Sequence, residues 1–252
     1  MLWPQIEEHA FLAAAAAVTK RVRVMSNIMI AAMHPPVLLA KRVASIDVIS
    51  GGRFVLGIGA GGREEDYRSA GSPFEDRWRR IDEAVDTMRR IWRGEPPWEG
   101  AAGVGPRPAQ TGGPPIFTSA SGPRALPRAA KWADGWLGAN MTVEVETMRA
   151  EVSAHLDAWE KAGRAERPYL VNSLWFALGD GAKERLGDAA AGYVGLSPGT
   201  PSPFGDLPVH SADGVKRAIE NCQEAGFDEL IFIPLTDDLA ELDRLEAALT
   251  GL

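Results

Sequence analysis

Three clusters of residues have types and spacings suited to chemistry. The first is Gly57-Ile58-Gly59-Ala60-Gly61-Gly62, which satisfies G-x-G-x-x-G at the end of the apolar run RFVLGIG. Glycines so placed let a backbone approach a ligand closely, and after a strand they can form a dinucleotide-binding turn. Against a nicotinamide dinucleotide, REEDYRSAGSP does not begin a smooth apolar-faced helix. Nor does an acidic residue end the next strand about 20 positions on. The second cluster is Ser119-Ala120-Ser121-Gly122-Pro123-Arg124, small residues linking a strand to a helix. Free N–H groups and the positive dipole end of that helix suit a phosphate; a plain Ser121 cap is the structural alternative. The third is Ser26-Asn27, a polar pair interrupting the apolar strand VRVMSNIMI.

Other reactive residue types form no set. His9, His34, His155 and His210 have no metal-ligand spacing, so no metal is expected. His34, before Pro35, reads as part of a turn. No Ser-His-Asp or Cys-His arrangement can be assembled, and no general acid or base is assigned. The single cysteine, Cys222, excludes an intramolecular disulfide, fits a reducing cytoplasm and reads as a buried helix residue.

The elements that must position these clusters alternate. Helices are expected at 6–19, 36–49, from Ser72 or Asp76 to Gly94, 122–135, 143–163, 181–194, 212–225 and 237–249. Strands are expected at 21–30, 53–59, 114–120, 136–140, 169–179 and 228–234. In the second helix Val37, Leu38, Leu39, Val43, Ile46 and Ile49 recur near helical spacing, Pro35-Pro36 suits its start and Gly51-Gly52 its stop. In the third, Trp78, Ile81, Val85, Met88 and Trp92 make the apolar face. Trp136 and Trp175 read as core packing. Residues 95–114 and 195–209 are Gly/Pro-rich loops. Repeated βα units with apolar strands require parallel strands covered by helices, as a doubly wound sheet or a barrel.

Composition sets the bounds. With 252 residues, 45% hydrophobic and 24% charged, the chain can form one large α/β domain, 1–252, with a packed core. A net charge of −7 with scattered Lys and Arg argues against nucleic acid as a partner. The apolar run 10–18 follows Glu7 and Glu8 rather than a basic segment, so it reads as a helix, not a signal peptide. No run approaches the ~20 apolar residues of a membrane span.

Taken in order, His34-Pro35, Ala40, Asp47, Ser50-Gly51-Gly52-Arg53-Phe54, Gly57-Ile58-Gly59-Ala60-Gly61 and Glu64-Glu65-Asp66 resemble the bacterial luciferase-like flavin-dependent oxidoreductases. SASGP at 119–123, ADGW at 133–136 and AGFDELIFIP at 225–234 continue the resemblance over nearly the whole chain. It implies a TIM (β/α)8-type barrel. A full member carries two further strands and a helix ahead of the segment matching 6–20, so a truncated or reduced start is expected here.

The resemblance also implies a cofactor, FMN or the deazaflavin F420, and hydride transfer or monooxygenation of a small-molecule substrate. Ser26 and Asn27 would hold a non-proline cis peptide in a bulge behind the flavin ring. Gly59, Ala60 and Gly61 would admit the ring or substrate, with Glu65 as a polar contact at the same mouth. Ala120, Ser121, Gly122 and Pro123 would hold the phosphate. The loops 95–114 and 195–210 would set specificity. A cytoplasmic homodimer is implied, with a flavin reductase as partner if the cofactor is FMN. The alternative is a noncatalytic or truncated flavin-binding barrel protein.

Overall fold

A computed structural model describes residues 6–193, 195 and 206–250. The chain divides into two compact units, meeting in sequence at Trp136 and Leu137. Among the described residues no helix is long and apolar enough to cross a membrane.

The first unit begins with helix α1 (Glu8–Val18), whose entry is capped by Glu7 accepting from the Ala10 N–H. Short strands β1 (Val24–Met25) and β2 (Met29–Ile30), a 3-10 turn (Ala31–Met33) and helix α2 (Pro36–Ser50) follow. Pro35 and Pro36 open α2, and Gly51 closes it with φ +65°, a left-handed conformation that only glycine adopts freely. The α2 core face is Leu39, Ala40, Val43, Ala44, Ile46 and Asp47, while Leu38 and Ile49 are exposed. The face is therefore rotated from the expected stripe, with Ala40, Ala44 and Asp47 on the buried side.

Strand β3 (Phe54–Gly59) is buried at every position, as a central parallel strand should be. Helix α3 (Glu64–Ser69) and helix α4 (Arg77–Trp92) follow it. Ile81, Val85, Met88 and Trp92 are buried on α4, and Trp92 Nε1 donates to the Ala40 carbonyl at 3.0 Å. Trp78 is exposed at the edge of this face rather than within it. The excursion loop is tied back through Asp47, whose carboxylate accepts from the Gln110 backbone N–H at 2.9 Å and from Gln110 Nε2 at 2.7 Å. Strand β4 (Ile116–Thr118), helix α5 (Gly122–Ala129) and strand β5 (Gly135–Gly138) complete the series. β1 and β2 both pair parallel with β3, β3 with β4, and β4 with β5.

The second unit carries helix α6 (Val145–Lys161), strand β6 (Tyr169–Phe176), helix α7 (Ala182–Tyr193), helix α8 (Ala212–Ala225), strand β7 (Glu229–Pro234) and helix α9 (Ala240–Leu249). β6 and β7 run parallel from Val171↔Glu229 to Phe176↔Pro234. Ser211 caps α8 by accepting from the Gly214 N–H, and Gly226 ends it at φ +96°. Cys222 is buried and free on α8, and desolvation pushes its thiol pKa up. The buried side-chain amide of Asn172 brackets Asn140, accepting from its N–H at 2.8 Å and donating to its carbonyl at 3.1 Å.

Candidate functional site

All ten residues expected at a cofactor site fall in the first unit, at or just beyond the C-terminal ends of parallel strands. That end of an α/β layer is where loops are free to hold ligands.

The polar pair in the first strand marks a break in register. Met25 faces Val55 and Met29 faces Ile58, so residues 26–28 span the two positions 56–57. One extra residue makes a bulge, and the strand expected at 21–30 is split by it into β1 and β2. Ser26 repairs the ladder there. Its buried hydroxyl donates to the Gly57 carbonyl at 2.9 Å and accepts from the Gly57 N–H at 3.0 Å. The Asn27–Ile28 peptide within the bulge is cis.

The bulge explains two of the glycines. A Cβ built on Gly59 would lie 2.1 Å from Ile28 Cδ1 and 2.5 Å from Ser119 Oγ. One on Gly61, at φ +65°, would lie 2.9 Å from Ile30 Cδ1. Side chains of the bulged strand fill the space beside both glycines, and the positive φ at Gly61 favours glycine independently, causes that the expectation of close approach by a ligand did not contain. Gly62 has open space around its Cβ direction. Ala60 is buried, and its carbonyl accepts from the hydroxyl of fully buried Tyr67. Burial pushes the Tyr67 pKa up, partly opposed by the Arg77 and Arg80 charges.

The acidic run folds into α3 instead of a loop. Glu64, Glu65 and Asp66 occupy its first turn, where the helix dipole favours negative charge. Glu65 is exposed, whereas Asp66 is buried, with Arg63 Nε 3.3 Å from its carboxylate. A six-residue helix beginning with three acids cannot cradle a pyrophosphate, which disfavours the dinucleotide reading of the glycine motif.

After β4, the hydroxyl of Thr118 accepts from the Ala120 N–H at 3.0 Å, fixing the turn into α5. Ser121 stands at the N-cap position in extended conformation but makes no side-chain cap bond. Gly122 has φ +78° and nothing within 4 Å of its Cβ direction. Ser121, Gly122 and Pro123 are exposed. The start of this eight-residue helix therefore presents an uncommitted hydroxyl and first-turn N–H groups to solvent, although Pro123 contributes no N–H.

A small cleft, with a volume of about 20 Å³, lies between α4 and α5 and reaches Gly59, Ala60, Thr118 and Ala120. Trp78, Trp132 and the Asp82–Arg128 ion pair line it. It brings Gly59, Ala60 and Ala120 onto one surface and leaves Ser26, Asn27, Gly61, Glu65, Ser121, Gly122 and Pro123 outside its lining. Sequence reasoning missed Ile28, Thr118 and Tyr67. A lone Thr at a strand end or a Tyr after an acidic run carries no sequence signal for such roles. Of the expected specificity segment 195–210, residues 196–205 lie outside the described residues.

Comparisons with known proteins place this geometry. An uncharacterised protein of Mycobacterium tuberculosis is 29% identical over 205 residues, covering 73% of this chain and 72% of its own. The structure resembles an F420-dependent secondary alcohol dehydrogenase in complex with an F420–acetone adduct, with TM-score 0.75, 17% identity, and 97% and 84% of the two chains covered. It also resembles the oxygenating constituent of 3,6-diketocamphane monooxygenase of Pseudomonas putida, in complex with FMN, with TM-score 0.68, 17% identity, and 98% and 83% covered. These likenesses agree on the α/β, TIM-barrel-type fold class. Residues 3–245 match the family model for luciferase-like monooxygenase, and the chain belongs to that family.

Proposed function

We propose that this protein is a flavin- or F420-dependent oxidoreductase of the luciferase-like class acting on a small organic substrate. The observation that carries the reading is the start of α5, where the Ser121 hydroxyl and first-turn N–H groups stand unused beside open space at Gly122. That donor set fits the phosphate of either cofactor. FMN and F420 are named here because solved relatives of the same fold contain one or the other.

In this reading Ala120, Ser121, Gly122 and Pro123 hold the phosphate. Ser26 and Asn27 shape the backbone facing the ring, with Ile28 locked against Gly59 so that the bulge cannot relax. Gly61 and Glu65 border the mouth. The bound cofactor supplies hydride transfer or, as FMN, oxygen activation; the protein supplies position and exclusion of water. A homodimer, and a flavin reductase partner in the FMN case, belong to the same proposal.

Titration of the protein with FMN and with F420, read by fluorescence, tests it. Tight binding of one is expected, weakened at least about tenfold in Gly122→Glu by an anion at the phosphate position. Ser121→Asp, at an extended and exposed position, repeats the test without the positive-φ strain. Binding of neither cofactor by folded protein overturns the enzyme reading. Tight binding without cofactor reduction or reoxidation by any substrate supports the noncatalytic alternative.

A further inference from the structure

We propose that Glu8, His9 and His34 form a binding site for a divalent transition-metal ion, with Zn²⁺ as the chemically matched occupant. One ligand atom from each residue lies within 4.8 Å of the other two. Two imidazoles and a carboxylate are a set that zinc accepts, with a fourth position left for water. His9 is buried, and the Nε2 atoms of both His9 and His34 are buried without a hydrogen bond among the described residues. Two such nitrogens are costly to leave unmatched. The two rings meet edge to face with centroids 5.1 Å apart, and Glu8 Oε1 lies 3.5 Å from His34 Nε2.

The orientation of His9 strengthens the case. Its Nδ1 is held by Glu7 Oε1 at 2.5 Å. A carboxylate on one imidazole nitrogen fixes the tautomer and leaves the other lone pair for a metal. Glu7 is itself fixed by the Ala10 N–H at 3.0 Å. Ligand atoms around a tetrahedral zinc stand about 3.3 Å apart, given bonds of about 2.0–2.1 Å. Glu8 and His34 are already near that spacing, at 3.5 Å, and closing the set around an ion requires the remaining separations, none above 4.8 Å, to shorten by side-chain rotation. One group opposes the ion: Arg42 Nη1 lies 3.5 Å from His34 Nδ1 and favours the proton on Nε2. Metal binding moves that proton to Nδ1 and the guanidinium toward solvent. An occupied site would pin the start of α1 to the His34-Pro35 turn that enters α2.

Metal-stripped protein titrated with Zn²⁺ by calorimetry, and with Co²⁺ by visible absorption, tests the site. One equivalent is expected to bind saturably, with the intense visible bands of four-coordinate Co²⁺ and a raised Tm. Glu7→Gln is expected to weaken binding about 10–100-fold, and Glu8→Gln and His34→Ala by more. Arg42→Ala is expected to tighten it, and His210→Ala to leave it unchanged. The proposal is overturned by absence of saturable one-equivalent binding, or by wild-type affinity in Glu8→Gln and His34→Ala. Glu8 is half exposed, so its variant tests the site even where loss of a buried histidine prevents folding.

Discussion

Ile28 occupies the space that a side chain at position 59 would need. Gly59→Ala places a methyl against Ile28 Cδ1 and Ser119 Oγ at distances no real contact tolerates. It is expected to lower stability by about 1–3 kcal/mol, measured by urea denaturation. Ile28→Ala in the same chain should recover part of the loss, a coupling that a double-mutant cycle reads directly. Tyr67 gives a pH signature at the same scale. Its folded-state pKa is raised because burial disfavours the phenolate. The stability it contributes is fully present below the unfolded tyrosine pKa of about 10 and is lost as pH rises through the higher folded value. Tm measured across the alkaline range should fall more steeply in wild type than in Tyr67→Phe. At neutral pH that variant should be about 0.5–1.5 kcal/mol less stable, having lost the bond to the Ala60 carbonyl.

At the scale of elements, Arg53 shows what the Ser-Gly-Gly-Arg-Phe stretch is for. Its guanidinium and Nε donate to carbonyls of Ala16, Thr19, Val22 and Ser50, and to the Thr19 hydroxyl. One side chain thus satisfies carbonyls near the C-terminal end of α1 and ties them to the turn between α2 and β3. Lysine keeps the charge but not the planar array of donors. Arg53→Lys is therefore expected to cost about 1–3 kcal/mol, seen as a lower urea midpoint with an unchanged m value. Ser50, Gly51, Gly52 and Arg53 were legible as a helix stop followed by a strand, because proline and glycine impose their own backbone preferences. The roles of Asp47 and Arg53 were not, because their partners lie tens of residues away, at Gln110 and on α1. Helix α3 was missed for a related reason: six residues show too little periodicity to separate a helix from a charged loop.

At the scale of the molecule, a cofactor that binds only the folded state must stabilise it. At a free concentration of 100 times Kd the gain is about 2.7 kcal/mol. FMN or F420, whichever binds, should raise Tm in wild type and much less in Gly122→Glu, a readout independent of turnover. Apart from α3 and the split of the first strand, the sequence by itself determined the order of strands and helices, because apolar periodicity and glycine–proline punctuation are local. It also determined the family, through motifs held in order along the chain. Only the tertiary structure fixed the register of the expected bulge, with residues 26–28 against 56–57 of β3, and showed that Gly59 and Gly61 make room for Ile28 and Ile30 and that His34 meets Glu8 and His9. Register and side-chain convergence depend on which distant segments are brought together, and no local spacing encodes that.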